Sequence, residues 1–161
     1  MKKNNIILAI VLIAFVICVA LVLYFRLNPK EEEEAINIDL NSLAENINSN
    51  TEFGEMTMQN VDKVSLKETF DIEEEKVEEV IGKIPFINVH SSMYIIVKAN
   101  AGETEYIRGK LEEYGLNYEA QWEKYLPEQY ELVKKRKIGV KGDYVYFIVS
   151  DSADEIVEMI K

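Results

Sequence analysis

Lys137-Ile138-Gly139-Val140-Lys141-Gly142-Asp143-Tyr144-Val145-Tyr146-Phe147-Ile148-Val149 is the stretch on which the fold turns. Two β-prone runs, Lys137 to Val140 and Tyr144 to Val149, flank Lys141-Gly142-Asp143. A glycine in a short polar connection between such runs predicts a β-hairpin. The second arm is dense in Tyr, Val, Phe and Ile, side chains that pack well on a pleated surface. Upstream, Met93 to Ala99 is apolar almost without alternation. That pattern predicts a strand near the middle of a sheet, covered on both faces or paired on both edges.

Helical spacing surrounds these strands. Leu40, Leu43, Ala44 and Ile47 fall at i, i+3, i+4 and i+7, with Asp39 placed as N-cap and Asn48-Ser49-Asn50 as terminator. From Phe53 to Val61, Met56 and Met58 alternate with Thr57 and Gln59, predicting a strand with one wet face and two core methionines. Glu73 to Ile81 reads as a short helix: its first turn is acidic, Val77, Val80 and Ile81 share a face, Gly82 offers a left-handed cap and Pro85 forbids continuation. The longest helix starts near Gly102, with Ile107, Leu111, Tyr114, Tyr118 and Tyr125 in one stripe and Trp122 alongside. Gly115 interrupts that stripe at a cost of about 1 kcal/mol relative to alanine, and the helix is read as continuing through it. Leu126-Pro127 resets the chain for a further helix over Glu128 to Lys135, and Ser152 with Glu155 forms a capping-box pattern for a final helix carrying Ile156, Val157 and Ile160.

The amino-terminal end has a different character. Ile6 to Phe25 is an unbroken apolar run, with Lys2 and Lys3 before it and Arg26 after it. Twenty helical residues rise about 30 Å, the thickness of a bilayer's hydrocarbon core, so the run is expected to be a transmembrane helix. A cleaved signal peptide is the competing reading. Against it stand the length of the run, the absence of a small-x-small site after it, and Tyr24, Phe25 and Arg26, which resemble interfacial anchors. Val16 and Ile17 precede Cys18 where a lipobox would need small residues, so the thiol is read as buried and unmodified. A very short amino-terminal tail favours a cytoplasmic N-terminus and an extracytoplasmic remainder. The expected organisation is a short cytoplasmic tail at 1–5, a span at 6–25, an acidic linker at 26–37 and an α+β domain at 38–161.

Charge separates these parts. Of 18 basic residues, Lys2, Lys3, Arg26 and Lys30 lie in the first 30 positions, leaving 14 against all 29 acidic ones, a balance of −15 for residues 31–161. Such a domain is repelled by nucleic acid and anionic headgroups, so no nucleic-acid partner is expected. The local cluster Lys134 to Lys137 reads as charge complementing a helix C-terminus. Glu31 to Glu34 form a self-repelling spacer rather than a metal site, since a run of adjacent carboxylates holds no ligands in converging positions.

The residues of the domain resemble those of a known family. Tyr-Ile-Ile-Val-Lys-Ala at 94–99, Gln121-Trp122, Tyr125-Leu126-Pro127-Glu128-Gln129-Tyr130 and Gly142-Asp143-Tyr144-Val145 before an apolar strand are similar to the bacterial domain of unknown function family 4358, over roughly residues 40–161. The resemblance implies a small exodomain of Gram-positive-type bacteria, tethered by a lipoprotein signal or by an N-terminal span. This chain lacks the lipobox, which leaves the tether to residues 6–25. The resemblance brings no activity and no site residues.

Direct inspection finds no catalytic signature. His90 is the single histidine and has no second histidine or cysteine nearby to build a zinc set, so it is read as a loop or edge residue. No Gly-x-Ser-x-Gly occurs, and Ser91-Ser92 adjoin His90, where neighbouring strand side chains point apart. No glycine-rich phosphate loop occurs either, and no cofactor is expected. The one surface feature is Trp122, Tyr125, Gln129 and Tyr130 around Pro127, which can lock two helices together or offer an aromatic platform to a peptide or glycan; packing is the favoured role. The chain is expected to be α+β: an N-terminal transmembrane helix, then a single small domain whose mostly antiparallel sheet is covered by helices. Its expected function is a non-catalytic, membrane-anchored extracytoplasmic binding module that contacts envelope proteins or wall polymers. The alternatives are an envelope hydrolase using acidic residues and a structural component of a membrane complex.

Overall fold

A computed structural model describes Phe15, Ile17 and residues 36–87 and 89–161. The expected span over 6–25 and the linker up to residue 35 therefore lie outside the described residues, apart from Phe15 and Ile17. No helix among the described residues is long and apolar enough to cross a membrane. The domain is α+β, with five α-helices and one five-stranded sheet among the described residues.

Strand β3 (Met93–Ala99) lies at the centre of the sheet order β1-β2-β3-β5-β4. Its neighbours are β2 (Val77–Pro85) and β5 (Tyr144–Val149); β1 (Met58–Asn60) and β4 (Lys137–Lys141) form the edges, and every pairing is antiparallel. The hairpin expected over 137–149 is present, with Val140 opposite Val145 and a turn whose Gly142 takes φ +56°. The unbroken hydrophobicity of β3 has a double cause: it is paired on both edges and also buried on both faces. Met93, Ile95, Val97 and Ala99 enter one core, Tyr94 and Ile96 the other.

Three helices supply the first core: α2 (Lys63–Phe70), α3 (Thr104–Trp122) and α4 (Pro127–Lys134). The second core is covered by α1 (Leu40–Asn50) and α5 (Ala153–Met159). Leu40, Leu43 and Ile47 form the buried face of α1, and Asp39 caps it by accepting from the Asn41 and Ser42 amides (3.0 and 3.1 Å). Those bonds favour the carboxylate and hold the Asp39 pKa below its ordinary value. Gly115 lies inside α3 because a Cβ there would come within 2.8 Å of Arg136 Nε and 3.0 Å of Phe147 Cε2. The bare backbone lets Arg136 cross the helix, where its Nη1 donates to Val133 O at 3.1 Å and pairs with Glu119. Of the basic cluster Lys134 to Lys137, Arg136 thus meets a C-terminal carbonyl of α4, while Lys134 pairs with Glu131 and Lys137 with Asp154.

Four expectations need correction. The strand foreseen over Phe53 to Val61 shrinks to β1, because Thr51 caps a 3₁₀ turn at Glu52–Gly54 that buries Phe53 beneath Tyr94, ring centroids 4.9 Å apart. The helix foreseen over Glu73 to Ile81 is a 3₁₀ turn, Glu74–Lys76, followed by β2. Gly82 is a strand residue, not a helix cap. The long helix stops at Trp122, leaving Tyr125 beyond it. At the final helix Ser152 occupies the N-cap position without a side-chain cap bond; its hydroxyl donates to Glu52 Oε2 at 2.9 Å, fastening α5 to the 3₁₀ turn instead. Helix α2 had no sequence expectation at all. Asp62 and Ser65 close it with a reciprocal capping box, Ser65 N–H to Asp62 Oδ1 and Asp62 N–H to Ser65 Oγ, both at 2.8 Å.

The chain joins the domain at one end of this sheet. Tyr144 Oη accepts from Ile38 N–H (2.8 Å) and donates to Ile38 O (3.2 Å), while Ile36 lies against Gly142 in the β4–β5 turn. The other end of β5, Val149, pairs with Met93, where the β2–β3 connection ends. Six strand residues separate the two ends by about 20 Å.

Candidate functional site

At that second end two loops meet, and together they hold five of the exposed large apolar side chains of the domain. The β2–β3 connection carries Phe86, Ile87 and Val89, which are 63%, 65% and 43% exposed. The α3–α4 corner carries Tyr125 and Leu126, 59% and 38% exposed. The loops are tied together through Ser91. Its amide donates to Gln129 Oε1 at 2.7 Å, its hydroxyl to the same oxygen at 3.0 Å, and its carbonyl accepts from Tyr118 Oη at 3.2 Å. Burial pushes the Tyr118 phenol up to about 12, so it remains a donor at neutral pH.

The four residues singled out around Pro127 take separate positions. Trp122 is 2% exposed and continues an aromatic column: Phe70, Tyr114, Tyr118, Trp122 and Tyr125 follow one another at centroid distances of 4.4, 5.5, 6.0 and 5.6 Å. Gln129 is half-buried and engaged with Ser91. Tyr130 is half-buried against the first core, with Lys134 Nζ 5.1 Å from its ring centroid. Only Tyr125 projects. Trp122 and Tyr125 share a shallow hollow of about 460 Å³ with Gln121 and Lys124.

A second depression of about 380 Å³ lies between β1 and the β2–β3 loop. Met56, Met58, Phe86, Ile87 and Val89 give it an apolar lining, and Glu55 and His90 stand at its polar margin. Both methionines also pack against the second core, so each belongs partly to core and partly to groove. Their thioether side chains are flexible and polarisable, so the surface they line can repack. The signal for this site was available in Pro85-Phe86-Ile87-Asn88-Val89, where large apolar residues fall in a segment otherwise written in turn residues.

No three His, Cys, Asp or Glu side chains gather as a metal set among the described residues. Ser91 is buried and bonded to Gln129, while His90 is exposed in the loop, so the adjacent pair does not form a nucleophile and its base. The depression beside β1 offers apolar contact area and the Glu55 carboxylate.

Comparison with known proteins gives one match. Residues 49–150 fit a family described as Domain of unknown function (DUF4358). No curated protein and no solved structure matches the chain.

Proposed function

We propose, for a chain that belongs to the DUF4358 family, a membrane-anchored extracytoplasmic binding module that acts without catalysis. The observation that carries the reading is the concentration of Phe86, Ile87, Val89, Tyr125 and Leu126 at one end of a strongly acidic domain. Large apolar side chains left exposed together on an otherwise charged surface mark places where another molecule is received. That end lies opposite the point where the chain joins the domain through Ile38 and Tyr144. In this proposal the apolar run Ile6 to Phe25 spans the membrane with its N-terminus in the cytoplasm, the linker holds the domain clear of the lipid, and the partners are envelope proteins or wall polymers.

Protease treatment of intact cells tests the topology, and crosslinking with mass spectrometry tests the binding. A C-terminal tag on the full chain should be cleaved from outside. Removing residues 1–34 should release the domain from the membrane fraction and lose the crosslinked partners. A tag protected in intact cells, or partners unaffected by loss of the anchor, would contradict the proposal.

A further inference from the structure

Strand β1 is an edge whose outward main-chain groups have no partner among the described residues. Val61 N–H donates to Gly82 O at 2.9 Å. Antiparallel pairing alternates hydrogen-bonded and non-bonded positions, so Gln59 faces Ile84 in a bonded pair while Met58 and Asn60 turn their N–H and C=O away from β2. Neither residue's main chain is bonded to any other described residue. The opposite edge, β4, is defended. Lys137 pairs with Asp154, and Lys141 Nζ donates to Val157 O and Ile160 O at 2.6 and 2.9 Å, closing the C-terminus of α5. Two lysines thus blunt one edge, while the other is open and leads into the Met56, Met58, Phe86, Ile87 and Val89 groove.

An open ladder with an adjoining apolar groove is the arrangement that receives an added strand: main-chain bonds supply affinity and alternate side chains enter a pocket. Charge selects the occupant. Residues 35–161 carry 25 acidic and 14 basic side chains, a balance of −11, Glu55 stands at the groove margin, and the nearby cation Lys83 is already donating to Phe53 O at 2.8 Å. A second copy of this chain would bring the same negative charge, and an anionic bilayer would be repelled. The chain's own upstream segment carries Glu31 to Glu34 and joins at the opposite end of the sheet.

We infer that β1 and its groove bind an extended segment of a partner protein, with apolar side chains alternating with Lys or Arg, as a sixth strand of the sheet. The inference rests on the binding-module reading and adds to it the mode and the chemistry of the partner.

The test uses the full chain held in nanodiscs of zwitterionic lipid and a phage-displayed library of random peptides about twelve residues long. Selection should enrich peptides in which apolar and basic residues alternate. In a selected peptide, N-methylation of every second amide, those facing β1, should weaken binding about tenfold per bond, while methylating the intervening amides leaves it within about threefold. Asn60→Pro, which removes an outward N–H, leaves the β2 ladder intact and touches no groove side chain, should act like the first set, with circular dichroism confirming the fold. Enrichment of acidic or helix-patterned peptides, or equal effects from both methylation sets, would overturn strand addition. So would self-association of the chain that Asn60→Pro abolishes, or stronger binding to phosphatidylglycerol vesicles than to any peptide. Peptides held at the apolar end without sensitivity to N-methylation would leave the binding-module reading standing; no peptide enrichment together with no crosslinked partner would remove both.

Discussion

Trp122→Ala should destabilise the domain by about 3–5 kcal/mol, one of the two largest losses expected from a single substitution here. The indole is 2% exposed and stands between Tyr118 and Tyr125, so its removal empties a site bounded by α3 and the corner into α4. Neighbouring backbone belongs to a helix and a Pro127-fixed turn, which limits how far the cavity can collapse. With about 3–4 °C per kcal/mol for a domain of this size, the thermal midpoint should fall by roughly 10–20 °C. Tyr125→Ala removes an exposed ring that contributes one aromatic contact, and should cost about 1 kcal/mol or less. Calorimetry of both variants separates packing from display. If Trp122→Ala leaves the midpoint within a degree or two of the parent, the indole is not the wedge described.

Gly82→Val is the second. A Cβ at this position would lie 2.6 Å from Tyr94 O, 3.1 Å from Val61 Cγ2 and 3.2 Å from Ile95 Cα. Two of these atoms are main chain in the central strand, which is fixed by β2 on one side and β5 on the other, so the clash cannot be relieved by a rotamer change. The expected cost is about 3 kcal/mol or more, seen as a lower urea midpoint. A change below about 0.5 kcal/mol would mean that β2 is not held against β3 at this point.

The same segment explains what could be read from the sequence and what could not. Val77, Val80 and Ile81 have the i, i+3, i+4 spacing of a helical face, yet they belong to a strand. The register shifts by one residue between Val77 and Glu79, from Val77 opposite Ala99 to Glu79 opposite Lys98. A bulge of this kind interrupts the two-residue period, so Val77 and Val80 point into the first core and Ile81 into the second. Helical periodicity and a bulged strand are indistinguishable at that length, and the acidic residues Glu73 to Glu75 added a false N-terminal signal. The 137–149 hairpin, the central strand, α1 and α3 were legible because their signals are local: a glycine turn, an unbroken apolar run, a cap followed by a stripe. Helix α2 was not, since its buried residues are only Ser65, Leu66 and Phe70 and its start depends on a serine in the third position.

The groove was harder still. Met56 and Met58 are core residues in part, and nothing in their spacing says that the other part faces Phe86 and Ile87. The apolar content of Pro85-Phe86-Ile87-Asn88-Val89 marks the loop, but only the pairing of β1 with β2, Met58 opposite Pro85, brings the edge beside it. The corner at Pro127 was visible from its aromatic composition. Its division into a buried Trp122, an engaged Gln129 and a projecting Tyr125 depended on Ser91, 38 residues distant from Gln129.

The central claim is that the end of the domain carrying Phe86, Ile87 and Val89 receives a partner. A photo-crosslinking amino acid placed singly at Ile87 and at Leu116 of the full chain in living cells addresses it directly, because both side chains are 65% exposed and only Ile87 lines the groove. Irradiation should give a discrete adduct from position 87 that disappears in the Asn60→Pro background, and none from position 116. Equal adducts from the two positions, or an adduct from 116 alone, would contradict the account.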